Sequence, residues 1–155
     1  MPSFTLVPEH EIDRWSKALG LVIWGMAQME WMTYVWAERI GGHDLKDRLI
    51  DCRGFDARLR LLIPELPRFG WPDSKLKEAK ILWKKARGFS RFRNVIAHNP
   101  IISNRNNPGV FALVDARSLK GPNRRFHRAL FPEFLFAVAQ KMNFLIERLR
   151  RIFES

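Results

Sequence analysis

From Ile12 to Ile40 the positions Ile12, Trp15, Leu19, Val22, Met26, Met29, Thr33, Ala37 and Ile40 follow one another at spacings of three and four. That is the period of an α-helix with a buried stripe, held over roughly four heptads. Trp24, Trp31, Val35 and Trp36 fall off the stripe. A helix that is apolar on more than one side is central in a bundle or shared with a second subunit. Within it, Ala18 to Ala37 reads ALGLVIWGMAQMEWMTYVWA, about the length that spans a bilayer. Gln28 and Glu30 sit near its centre, and a carboxylate at that depth is costly, so the expectation is a buried bundle helix and no membrane span.

The rest of the chain continues in helices. Pro8, Glu9 and Glu11 open the first, with proline in the first turn and acids at the positive end of the dipole, and Gly41-Gly42 ends it. A second helix is expected from about His43 to Leu62 on Leu45, Leu49, Cys52, Phe55, Leu59 and Leu62, broken by Pro64 and Pro67. After the connector IPELPRFGWPD, Asp73 or Ser74 caps a third helix on Leu76, Ala79, Trp83, Ala86 and Phe89, which Pro100 stops. IIS, NRNNPG and VFALVD read as a β-hairpin, and RSLKGPNRRFHRAL as a basic irregular loop. Pro132 and Glu133 open a last helix on Phe134, Val138, Met142, Leu145, Leu149 and Ile152. The expected fold is all-α: a four- to five-helix antiparallel bundle with a small β-hairpin before the last helix, as one domain over residues 1–155.

Charge narrows the partners. Lys and Arg number 27 against 16 Asp and Glu, a formal net of +11, and such a field attracts polyanions. The one cysteine, Cys52, excludes an internal disulfide and a CxxC metal site, and fits a reducing cytoplasm. Its periodic position suggests a buried structural thiol. The start MPSFTLVPEHEID has neither a basic n-region nor an apolar h-region. No P-loop, GxGxxG or nucleophile elbow occurs, and no His/Cys/Asp/Glu group has metal-ligand spacing, so neither metal nor cofactor is expected.

The positive charge gathers on the third helix. Lys75, Lys77, Lys80, Lys84, Lys85, Arg87, Arg91 and Arg93 face one acid, Glu78. Arg87, Arg91, Asn94 and His98 are spaced four, three and four, which makes one stripe on a helix, with Arg93 beside it. A guanidinium is a planar fork of donors suited to phosphate oxygens. An imidazole moves a proton near neutral pH, and an amide holds either group in place. These are the parts that phosphodiester chemistry needs without a metal.

R-N-V-I-A-H, Arg93 to His98, resembles the R-x4–6-H motif of HEPN domains, with a polar residue directly after the arginine. The order of helices is similar too, with the motif on a late helix followed by one more. The resemblance implies a metal-independent endoribonuclease that leaves a 2′,3′-cyclic phosphate and acts as a homodimer, two motifs meeting across a cleft. It also implies a role as a toxin of a toxin–antitoxin pair or an antiphage-defence effector. Carried over, Arg93 would bind the scissile phosphate, His98 would be general base or acid, and Asn94 would orient one of them. The toxins paired with nucleotidyltransferase antitoxins have a tyrosine before the histidine; here that residue is Ala97, so control through that tyrosine is absent. Other members are non-catalytic binding or interaction modules.

Further residues complete the candidate set. Glu30 either faces Arg93 and His98 as support, or forms a structural ion pair with an arginine elsewhere. Lys84, Arg87 and Arg91, with Arg124, Arg125 and His127 of RRFHR, are expected to bind the RNA backbone. His10 and His43 stand near helix starts as capping or surface residues. The surplus tryptophans of the first helix suit a homodimer seam or an antitoxin surface.

Overall fold

The computed structural model describes the backbone of residues 4–5, 7–99, 101–104, 107–113 and 127–155, and side chains within 7–99, 101–102, 110–112 and 130–155. Its helices are α1 (Glu9–Ile50), α2 (Phe55–Glu65), α3 (Asp73–His98) and α4 (Pro132–Glu154), and its strands are β1 (Phe4–Thr5), β2 (Ile101–Asn104), β3 (Asn107–Leu113) and β4 (His127–Ala129). The protein is thus an all-α helical bundle with an antiparallel hairpin, β2–β3, before the last helix. No helix among the described residues is long and apolar enough to cross a membrane.

The chain divides into two compact units. The first comprises Met1–Ile23 and Phe92–Ala139. It holds the antiparallel sheet, in the order β1-β2-β3-β4. Here two expectations are corrected. The NRNNPG turn is shorter, because Asn107, Pro108 and Gly109 already belong to β3, and Asn104 pairs with Asn107. The basic loop before α4 is not wholly irregular: His127–Ala129 pairs with β3, and the Leu130 N–H donates to the Phe111 carbonyl at 2.9 Å. The outer edge of β3 carries backbone donors and acceptors that need partners, and this segment supplies them. Trp15, Ala18, Val22, Ile96, Phe111, Leu130 and Leu135 are buried in this unit, with Trp15 edge-on to Phe111 at 5.0 Å.

The second unit comprises Trp24–Arg91 and Gln140–Ser155. Trp36, expected off the stripe, is fully buried at its centre. Its ring meets Phe69, Trp71 and Trp83 edgewise at 5.9, 5.6 and 5.1 Å, and stacks on Phe153 at 5.6 Å. The connector after α2 therefore contributes core aromatics. The expected helix from His43 to Leu62 is two pieces. α1 leaves helical geometry at Gly42, resumes to Ile50, and α2 starts only after Gly54 at φ 90°. A positive φ at Gly54 turns the chain without the Cβ clash any other residue would meet. Pro64 does not stop α2, which runs to Glu65 before a 3-10 turn, Leu66–Phe69, ended by Gly70 at φ 67°. Cys52 lies in the turn between α1 and α2, half-buried rather than buried, with its thiol 3.3 Å from the Arg48 carbonyl.

Candidate phosphate-transfer site

α3 is a single helix from Asp73 to His98. At its end the Asn99 side-chain amide donates to the Val95 carbonyl at 2.6 Å, satisfying one of the terminal carbonyls that lack an intrahelical partner. Within the first unit, Phe92 packs edgewise on Phe134 at 5.8 Å, and Ile96 is buried at 5% exposure. These two anchors set the rotation of the last turns. At about 100° per residue, Arg93, Asn94, Ala97 and His98 share an arc of about 140° on the opposite side. Arg93 is half-buried; Asn94, Ala97 and His98 are exposed. The local order apolar–Arg–Asn–apolar–Ile–Ala–His thus produces one outward face carrying a phosphate fork, an amide and an imidazole.

A groove of about 260 Å³ in this unit is lined by Val7, Ile12, Trp15, Ser16, Leu19, Ile96, Asn99 and Ile101. Ile96 of α3 and Asn99, directly after its end, lie on the other side of the helix from that face. Arg93, Asn94 and His98 do not line this groove. One chain presents one exposed imidazole on that face, whereas strand scission by an internal hydroxyl needs both a base and an acid.

Lys84, Arg87 and Arg91 belong to the second unit, Lys84 and Arg91 exposed and Arg87 half-buried. Asp56, in the first turn of α2, is the residue that sequence reasoning missed. Its Oδ1 lies 3.4 Å from Arg87 Nε and its Oδ2 3.6 Å from Arg91 Nη2. No local pattern joins residues so far apart in the chain. Glu30 has an arginine partner in its own unit: its Oε2 is 3.4 Å from Arg58 Nη1, and Arg58 lies 5.1 Å over the Tyr34 ring. Arg124 and Arg125 lie outside the described residues, and His127 is described only as a strand residue. His10 is exposed, as is His43, whose Nδ1 lies 3.5 Å from Glu38 Oε1. Among the described residues no group of three His, Cys, Asp or Glu is placed to hold a metal ion.

A second feature of that unit is an apolar groove of about 630 Å³ between α1 and α4. Trp24 and Trp31 line it at 64% and 65% exposure, with Met32, Val35, Ile146 and Phe153, and Glu147, Arg150 and Glu154 form its charged side. The off-stripe tryptophans of the first helix thus stand at the surface, except Trp36. Compared with protein-family models, with curated proteins and with solved structures, the chain has no match.

Proposed function

We propose that this protein is a metal-independent endoribonuclease of the HEPN type, acting in the cytoplasm as a toxin or antiphage-defence effector. The observation that carries the reading is the single outward face of α3 bearing Arg93, Asn94 and His98. Arg93 holds the scissile phosphodiester and offsets the charge that grows on its oxygens as attack proceeds. A His98 imidazole takes the proton of the ribose 2′-OH, whose oxygen attacks the adjacent phosphorus. The bond to the 5′-oxygen breaks, and an acid returns a proton to that oxygen. The products are a 2′,3′-cyclic phosphate and a 5′-hydroxyl, with no co-reactant consumed. Asn94 orients Arg93 or His98. Single-stranded or looped RNA is the substrate class, because there the 2′-OH can swing in line.

One imidazole per chain on that face supports a homodimer, in which His98 of one copy is the base and that of the other the acid. The seam proposed for it is the tryptophan groove. Trp24, Gln28, Trp31 and Val35 are spaced four, three and four, the spacing of a coiled-coil seam. Beside them Glu147, Arg150 and Glu154 alternate in sign, so a two-fold related copy meets opposite charges there, on a chain whose net charge of +11 repels a second copy elsewhere.

The test is end-labelled RNA incubated with purified protein in EDTA, beside His98→Ala and Arg93→Ala. Wild type is expected to cleave and leave cyclic ends, and each variant to lose roughly 10²–10⁴-fold. Because His98 is exposed and Arg93 half-buried, both variants should fold. Salt-sensitive RNA binding without cleavage would instead mark a non-catalytic RNA-binding module. Neither binding nor cleavage would leave a protein-interaction module.

A further inference from the structure

We infer that Asp56 is a built-in competitor for RNA phosphate at Arg87 and Arg91, and that a phosphate binds this pair by displacing the carboxylate. The inference rests on the RNA-directed reading above and adds how that surface is controlled.

Asp56 faces two arginines, one carboxylate oxygen to each. Two oxygens held by two guanidinium groups is also how a phosphate would sit there. Yet the separations, 3.4 and 3.6 Å, exceed the roughly 2.7–2.9 Å of a charge-assisted hydrogen bond. Asp56 Oδ1 and Arg87 Nε are both shut off from solvent and make no hydrogen bond. The pair thus bears desolvation without the compensation a hydrogen bond supplies. It is open on one side, since the Arg91 side chain is 71% exposed and that of Asp56 42%. A ligand can reach Arg91 first and exchange with the carboxylate. The position of Asp56 follows from Gly54, whose positive φ starts α2 where its first turn meets the arginines of α3.

The carboxylate cancels one of the two positive charges, so its removal should strengthen phosphate binding. Asp56→Asn is expected to tighten single-stranded oligo-RNA binding roughly five- to tenfold at moderate salt. It should also steepen the dependence of log K on log salt by about 0.7, one further phosphate contact. Arg87→Ala with Arg91→Ala, added to Asp56→Asn, should abolish the gain, and Asp56→Glu should keep wild-type affinity. Inorganic pyrophosphate is the second probe. On titrating wild type with it, the side-chain ¹⁵N signals of Arg87 and Arg91 and the carboxyl ¹³C signal of Asp56 should shift together, a readout that needs no variant to fold. Unchanged affinity in Asp56→Asn, or arginine signals that move while that of Asp56 does not, would overturn the inference. If wild type binds no RNA but the three signals still shift together with pyrophosphate, the competitor stands and the ribonuclease reading fails.

Discussion

Gly42 sits at φ 64° and ψ −156°, a conformation close to the region that only glycine enters freely. Nothing lies within 4 Å of where its Cβ would be, so an added methyl group meets no neighbour, and the cost of a side chain there is backbone strain alone. Gly42→Ala is expected to destabilise the protein by about 1–3 kcal/mol, read from the shift in urea midpoint at unchanged slope. Its neighbour Gly41 is needed for a different reason, because a Cβ there would come within 2.8 Å of Leu45 Cβ. The glycine pair was legible in the sequence as the end of a helix. The helix expected from about His43 does follow it; what was not legible is that this stretch ends at Ile50 and that α2 begins only after Gly54.

At the scale of elements, periodicity found the helical stretches, merged the end of α1 with α2, and mistook some of the faces. Met26, Met29, Thr33 and Ala37 are buried as their spacing requires, but Ile12 is 46% exposed. In α4, Leu135 rather than Phe134 takes the buried position, while Phe134 packs on Phe92. A window of sequence reports the period of a stripe, but its edges are decided by which neighbour arrives. Trp36 shows this best: it was grouped with Trp24 and Trp31, yet Phe69, Trp71, Trp83 and Phe153 enclose it. Trp36→Ala is therefore expected to cost about 3–5 kcal/mol in equilibrium unfolding. Phe144→Ala, at a position 66% exposed, should stay within about 0.5 kcal/mol of wild type.

For the whole molecule, a net charge of +11 sets the terms of association. Like copies repel, and a dimer forms only where apolar burial and opposed charges outweigh that repulsion. With Trp24 and Trp31 as the seam, wild type should be a dimer by sedimentation equilibrium, tightened by added salt that screens the repulsion. Trp24→Ser with Trp31→Ser should be a folded monomer, and RNA cleavage should fall with the dimer. A doubly substituted chain that remains dimeric would remove the groove from the interface. A monomer that still cleaves would remove the need for two histidines.

What the sequence determined by itself is what depends on neighbours along the chain. That covers the all-α class, the hairpin before the last helix, the glycine break within α1, and the placement of Arg93, Asn94 and His98 within two turns of one helix. Local spacing suffices there because helix geometry converts sequence distance into direction. Tertiary structure alone decided that Asp56 would stand against Arg87 and Arg91, that Arg58 would pair with Glu30, and that Trp36 would be core while Trp24 and Trp31 stayed exposed. These are meetings between separate elements, and their partners are chosen by how the elements pack, a choice that no window of the sequence contains.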